Sequence, residues 1–449
     1  IFLDEIYKIG EQALKKRPDL FETEISKNKA SDVAIMVYTS GTTGHPKGVM
    51  LTNENLIYAI SVGKVYLPSN ENDELFCFLP LCHVYERLTS CMKPLSDKST
   101  INFAESMETV FEDIREVSPT LFYGVPRIYE KINSNFNIAL SEATNLSKFI
   151  YERALKTSLK RVEFKMKNKK IPLTLNIRFF MYEFFVFRNL RRMIGFDRVK
   201  RAVTGAAPIS PDLVKWFNAL GIPLIEGYGM SETATVMTMN DPENNKVGTV
   251  GSWVPDANVK ISPEGEIQWK SPAVFAGYYK DNKRTSEAFT KDGYFKTGDK
   301  GKIEDGLLSI TGRLKDIIIT AGGKNISPAL IENYLKFSKY ISDAIVIGDQ
   351  RKYLTALILI DQENVEKFAQ QNRIQYSDFS SLCNASEVKK LIAGEVDLVN
   401  LKLARVEQVK KFRLIDMLLT AEDDEMTATM KLRRSYCETK YEDLINSMY

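Results

Sequence analysis

Residues 38–48 read Y-T-S-G-T-T-G-H-P-K-G. Ser40, Thr42 and Thr43 contribute hydroxyl donors and Lys47 an ammonium group, while Gly41, Gly44 and Gly48 give a backbone that can turn tightly and approach a ligand closely. Backbone N–H groups and a cation converging on one point suit phosphate oxygens. The stretch is not a Walker A loop, which needs G-x-x-x-x-G-K-S/T; here Lys47 follows Pro46 and precedes Gly48. By composition alone the same residue types also make ordinary surface turns, so the phosphate reading needs support from the rest of the chain.

Other chemistry-bearing residues sit at the ends of short apolar runs. Residues 202–208 read A-V-T-G-A-A-P and residues 224–235 read L-I-E-G-Y-G-M-S-E-T-A-T. In each, an apolar strand ends in a turn of small residues. Gly205, Ala206 and Ala207 leave room for a flat ring beside the backbone; Tyr228 offers an aromatic face, Glu232 a carboxylate and Thr233 a hydroxyl. Taken alone, G-Y-G is a turn and Glu232 a surface charge. His83 follows the apolar run in L-F-C-F-L-P-L-C-H-V-Y-E-R, residues 75–87, where a histidine is more often structural than chemical. Residues 121–132, L-F-Y-G-V-P-R-I-Y-E-K-I, read as a strand entering a helix near Arg127. Asp299 closes a T-G-D string and Arg313 lies in T-G-R, both in a region of hairpin-like turns. Lys431 lies in D-E-M-T-A-T-M-K-L-R-R, residues 424–434, which by itself reads as a basic surface turn.

Taken in order, these strings closely resemble the AMP-forming acyl-CoA synthetases, the adenylating superfamily that also holds firefly luciferase and the adenylation domains of peptide synthetases. The resemblance covers nearly the whole chain. It implies that Thr39, Ser40, Gly41, Thr42, Thr43, Gly44 and Lys47 hold the departing pyrophosphate. It implies an adenine shelf at Gly205, Ala206, Ala207 and Pro208. Gly227, Tyr228, Gly229, Met230, Ser231 and Thr233 fall on the acyl-adenylate loop, with Glu232 as the Mg2+ carboxylate, helped by Thr43 or Thr233. Asp299 matches the ribose aspartate, Arg313 the arginine contacting ribose or phosphate, Lys315 the domain hinge, and Lys431 the adenylation lysine. Gly322, Gly323 and Lys324 border the path of the CoA arm, and His83 matches a histidine that lines the acyl pocket. The co-substrates implied are a fatty acid, ATP and CoA. V-P-R-x-x-E-K is most similar to the long-chain fatty-acid branch. Two departures are the T-G-A-A-P string, where the family more often has Ser or Gly before Ala-Pro, and Ala428, which replaces the usual Pro.

The elements that must position these residues follow from pattern. Val33-Ala34-Ile35-Met36-Val37 reads as a buried strand and Thr52-Asn53 as a helix start. Residues 320–328, T-A-G-G-K-N-I-S-P, read as a tight hairpin loop leading into a helix over 329–337. Apolar strands follow at Ala344-Ile345-Val346-Ile347 and Ala356-Leu357-Ile358-Leu359-Ile360, then helices. The fold class expected is α/β: a large N-terminal domain of several subdomains over 1–312, with mixed sheets flanked by helices, and a small mobile α/β domain over 313–449. The first residue is Ile1, and by the resemblance a further stretch should precede the signature loop.

Composition bounds the remaining readings. The 449 residues are 44% hydrophobic and 27% charged with a net charge of +3, which implies no global nucleic-acid or membrane field. Five cysteines without C-x-x-C and only two histidines argue against a zinc site and for reduced thiols, hence a cytoplasmic protein. No run of about 18 apolar residues and no signal peptide is visible. Residues 155–201 carry fourteen Lys/Arg against three Asp/Glu, interleaved with Phe164, Phe179, Phe180, Tyr182, Phe184, Phe185 and Phe187. Helices packing those aromatics inward explain the pattern; so does peripheral contact with the anionic inner membrane surface. No nucleic-acid recognition motif accompanies the charge. Two other functions remain open at this stage: delivery of the acyl group to a separate carrier protein, and a catalytically silent nucleotide-binding scaffold.

Overall fold

Residues 2–39, 46–419, 423–426 and 432–449 are described by the computed structural model. Strands Val33–Thr39 and Lys47–Thr52 pair antiparallel with Thr39 opposite Lys47, so residues 40–45, which lie outside the described residues, join the two strands of a hairpin. Gly277–Tyr278 adds a third strand, with Tyr278 opposite Val49. The inner face is apolar: Val37, Val49 and Leu51 are buried. Thr52 ends the strand and begins helix Asn53–Tyr66 through a reciprocal cap, its hydroxyl accepting from the Asn55 N–H and its own N–H donating to Asn55 Oδ1.

A second sheet runs in the order Leu121–Gly124, Arg201–Thr204, Leu224–Tyr228, Thr238–Met239, Ser252–Trp253, the first three strands parallel. Helices including Pro126–Glu142 and Pro211–Ala219 close an aromatic-rich core around Phe122, Tyr129, Phe196, Trp216 and Phe217. The turns of small residues expected after the second and third strands therefore emerge at the carboxyl ends of neighbouring parallel strands, where open α/β sheets bind ligands. A third sheet, antiparallel throughout, contains Phe295–Glu304 and Leu307–Arg313, and its register sets Asp299 directly opposite Arg313.

Arg313 is the last residue of that sheet. Beyond it come a hairpin of Ile318–Ile319 with Asn325–Ile326 and helix Pro328–Lys336, as the sequence pattern expects. The C-terminal sheet has strands Ile341–Ile347 and Leu354–Ile360, paired antiparallel, and Val409–Leu414, which joins parallel. Both faces of its central strand are covered. Ala356 and Ile358 pack with Ile331, Val346 and Ile392 on one side, and Leu357 and Leu359 pack with Ile415, Cys437 and Met448 on the other. The third strand is a departure from expectation. Its V-K-K-F-R-L string is charged along an edge, which hides it from a search for apolar runs.

The two parts meet along helices Pro126–Glu142 and Pro211–Ala219. The Arg127 guanidinium donates to the Ser342 carbonyl at 2.6 Å and to its hydroxyl at 2.7 Å, and the Asn364 amide donates to the Ser134 hydroxyl at 2.5 Å. Lys131 pairs with Glu363 at 3.0 Å, Lys367 with Glu142, and Lys402 with Asp212 at 3.0 Å. The V-P-R-I-Y-E-K string thus supplies two anchors of an interdomain seam. A seam of hydrogen bonds and ion pairs can open to water without exposing core, as interfaces between mobile domains do. Arg127→Ala should leave the secondary structure intact and loosen the seam by about 1–3 kcal/mol. Trypsin should then cut residues 314–317 several-fold faster at unchanged far-ultraviolet circular dichroism, and an unchanged cleavage rate would count against the seam.

Candidate active site

The three sheets surround one cleft of about 730 Å³. Thr39, Lys47, His83, Gly205, Ala206, Gly227, Gly229, Met230, Ser231, Glu232, Arg313 and Lys315 all line it. Residues more than 250 positions apart in sequence are thereby brought to one space. The hairpin delivers Lys47, the parallel sheet delivers Gly205 to Glu232, and the third sheet delivers Arg313. Apolar side chains also line the cleft, among them Ile60, Leu67, Leu79, Leu88, Val203 and Met239.

The loop after Leu224–Tyr228 is held in an unusual backbone conformation. Ala234 and Thr235 have φ of 45° and 68°, in the left-handed region. A Cβ on Gly229 would lie 1.9 Å from the Thr235 carbonyl oxygen, so only glycine fits there. Thr233, expected as a ligand hydroxyl, is fully buried and turned inward: its hydroxyl donates to the Met230 carbonyl and accepts from the Met230 N–H, both at 3.2 Å. It fastens the turn that presents Glu232, and it does not line the cleft.

Asp299 also stands behind the lining, 4% exposed. The Tyr228 hydroxyl donates to its Oδ2 at 2.7 Å and Arg313 Nε donates to its Oδ1 at 3.0 Å. Burial, reinforced by the Asp299 charge, raises the Tyr228 phenol well above its usual range, so it remains a donor. Burial opposes the charge on Arg313, but Asp299 more than restores it. Tyr228 of the expected acyl-adenylate loop, the expected ribose aspartate Asp299 and Arg313 thus form one hydrogen-bonded chain, with Arg313 alone of the three on the cleft lining. Ala207 and Pro208 lie beyond the lining, and Gly322, Gly323 and Lys324 form an exposed hairpin turn away from it. Ser40, Gly41, Thr42, Thr43, Gly44 and Lys431 lie outside the described residues.

One site residue escapes sequence reasoning. The Tyr278 hydroxyl donates to Glu232 Oε1 at 2.9 Å, and the Lys47 ammonium lies 4.8 Å from the Tyr278 ring centroid. Only the strand pairing that sets Tyr278 beside Val49 reveals it. Among the described residues no group of three or more His, Cys, Asp or Glu could hold a metal by itself. Glu232 nevertheless fits Mg2+, which takes one or two carboxylates and completes its shell with phosphate oxygens and water.

Lys47, a tyrosine-held Glu232 and a Tyr–Asp–Arg chain at one cleft agree with what comparison with known proteins shows. The family described as AMP-binding enzyme matches residues 4–279, and its C-terminal domain matches residues 315–449. The chain belongs to the AMP-binding enzymes. Among curated relatives, a long-chain-fatty-acid–CoA ligase of Mycobacterium bovis is 36% identical over 94% of this chain and 70% of its own length. One of Gallus gallus is 31% identical over 99% of this chain and 64% of its own length. Among solved structures, the adenylation domain of a Mycobacterium chelonae carboxylate reductase superposes with a TM-score of 0.68 at 22% identity, covering 94% of this chain and 60% of that one. O-succinylbenzoate coenzyme A synthetase of Bacillus subtilis, solved with AMP, gives 0.60 at 21% identity, over 91% and 69%. These two share the fold with this AMP-binding enzyme.

Glu226 lies within strand Leu224–Tyr228 and is not among the cleft-lining residues. Burial pushes its carboxyl up to about 8, opposed by a hydrogen bond from the Gly248 N–H. The unfolded chain ionises at an ordinary carboxylate value, so rising pH stabilises the unfolded state first. The stability this site contributes therefore falls between that value and about 8, and is level above it. In Glu226→Gln this titration is gone. By calorimetry the variant's thermal midpoint should exceed wild type more at about pH 8 than at about pH 5; equal offsets would exclude Glu226 from the pH response.

Proposed function

We propose that this AMP-binding enzyme activates a long-chain fatty acid in two steps, first as acyl-AMP and then as acyl-CoA. The observation that carries the reading is the one cleft lined both by Lys47, Glu232 and Arg313 and by apolar side chains such as Ile60, Leu79, Val203 and Met239. The curated relatives named as long-chain-fatty-acid–CoA ligases support the substrate class.

A free carboxylate acylates poorly because its leaving group would be oxide. In the first step a carboxylate oxygen bonds to the α-phosphorus of ATP, the bond to the bridging oxygen breaks, and pyrophosphate leaves with the electron pair. Two anions must meet, so cations and preorganised donors dominate the catalysis. Lys47 and the 39–44 loop serve the pyrophosphate, and Lys431 serves the α-phosphate and carboxylate oxygens. Glu232 with Thr43 would hold Mg2+, which when bound would neutralise charge on the phosphates. The Tyr228–Asp299–Arg313 chain orients the ribose. In the second step the CoA sulfur bonds to the acyl carbon, the thiol proton passes to solvent, and AMP departs with the electron pair. Lys431 is then dispensable, and the C-terminal domain turns about Lys315 to bring the Gly322–Gly323 turn to the CoA arm.

The same reading extends to a peripheral membrane contact. No helix of the described residues is long and apolar enough to cross a membrane. Within 155–201, Phe179, Phe187 and Phe196 pack inside, while Leu173, Ile177, Phe180, Met181, Phe184 and Phe185 are exposed at helical spacing. Lys169, Lys170, Arg178 and Arg188 are exposed beside them. An apolar stripe edged with cations suits an anionic bilayer, where long-chain acids also reside.

Pyrophosphate release with ATP and Mg2+ across acetate, octanoate, palmitate and benzoate, with and without CoA, tests the function. The rate should peak with the longer chains and yield CoA thioester. Lys431→Ala should lower it about 100-fold or more while sparing thioester formation from supplied acyl-AMP. Preference for acetate or benzoate would overturn the substrate class, and equal loss in both steps would overturn the lysine assignment. For the membrane contact, vesicles containing phosphatidylserine should sediment the protein, and Phe180→Ser with Phe184→Ser should weaken binding by about tenfold or more; absence of wild-type binding would rule the contact out.

A further inference from the structure

We infer that Tyr278 is a positioning residue for the metal carboxylate, tying Glu232 to the phosphate-binding hairpin. The inference rests on the reading of Glu232 as the Mg2+ ligand.

Four observations meet at this side chain. Its hydroxyl donates to Glu232 Oε1 at 2.9 Å, so one carboxylate oxygen is engaged and the other is left to a cation. Its ring faces the Lys47 ammonium at 4.8 Å and packs edge-on against Phe275 at 4.8 Å, which fixes its rotamer. It is only 6% exposed. Its backbone pairs with Val49 in the strand that Lys47 begins. The Phe275 N–H, three residues earlier, donates to the Glu232 carbonyl at 2.9 Å, so the same segment holds Glu232 by main chain and side chain together.

The chemical consequence is specific. A lone glutamate on a short turn samples rotamers and can bind a cation through both oxygens. With one oxygen held by a phenol it is pre-set to offer a single oxygen, which suits Mg2+ with its demand for near-octahedral geometry and retained water. Partners that orient a ligating carboxylate in this way contribute about 10–100-fold to metal affinity. The ring face toward Lys47 gives the second consequence: the cation serving the phosphates and the carboxylate holding the metal are spaced by one rigid ring.

The test uses Tyr278→Phe, which keeps the ring, its contact with Phe275 and its face toward Lys47, and removes only the hydroxyl. Mn2+ binding is read by electron paramagnetic resonance in the presence of a non-hydrolysable ATP analogue, alongside the Mg2+ dependence of pyrophosphate release. Mn2+ affinity should fall about tenfold and the Mg2+ requirement rise in step, with metal-free AMP binding unchanged. Glu232→Gln should lose Mn2+ binding altogether. Unchanged or tighter Mn2+ binding in Tyr278→Phe, where Glu232→Gln is impaired, overturns the positioning role alone. Unchanged binding in Glu232→Gln overturns the metal assignment and the positioning role with it.

Discussion

The register of strand Lys47–Thr52 fixes three parts of the site at once. Its first residue lines the cleft as a cation. Its pairing with Gly277–Tyr278 sets the phenol that holds Glu232. Its last residue caps helix Asn53–Tyr66, whose Ala59, Ile60 and Gly63 help line the cleft. A slip of one residue would reverse every side chain on the strand. Lys47 would leave the cleft and Val49 and Leu51, both fully buried, would face water. The hydrophobic penalty of that reversal locks the register, so burial of two aliphatic side chains is what places the polar chemistry.

The C-terminal part obeys a different constraint. It has its own core on both faces of its sheet, and it meets the N-terminal part through guanidinium, amide and ion-pair contacts. The apolar driving force for folding is satisfied separately on each side. Relative motion then costs only exchange of protein hydrogen bonds for water. A two-step reaction that needs a lysine in one step and room for a thiol in the next is served by such a seam.

Legibility followed the range of the interactions. Turns of small residues at strand ends were readable because glycine and alanine are demanded locally; Gly229, against the Thr235 carbonyl, is the sharpest case. Asp299 and Arg313 were readable because a hairpin brings them opposite each other within a short span. Tyr278 was not, since its meaning depends on a strand pairing across more than 200 residues and a hydrogen bond to a loop from another sheet. Arg127 stood out as a string but its work, gripping Ser342, lies in tertiary contact. Thr233 was the reverse: a residue type suited to a ligand whose hydroxyl closes its own turn instead. The aromatic run over 155–201 supported two readings because it divides by face, Phe179 and Phe187 inward and Phe180, Phe184 and Phe185 outward.

The loop after strand Leu224–Tyr228 shows why local rules yield at this place. Two consecutive non-glycine residues, Ala234 and Thr235, adopt left-handed backbone, and Ala206 on the facing turn does the same. Such residues cost roughly 1–3 kcal/mol each and persist only where the surroundings over-determine them. Here the surroundings are the Thr233 clasp on Met230, the Phe275 N–H on the Glu232 carbonyl and the Tyr278 phenol on its carboxylate. Together they hold Glu232 in place before any ligand arrives. Electrostatic catalysis requires charges and dipoles that need not reorganise as the reaction proceeds. A loop of relaxed conformation could be reached by many sequences but would leave the carboxylate free to turn. The strained loop commits it to one direction, and the stability for that commitment is drawn from the buried strands on either side.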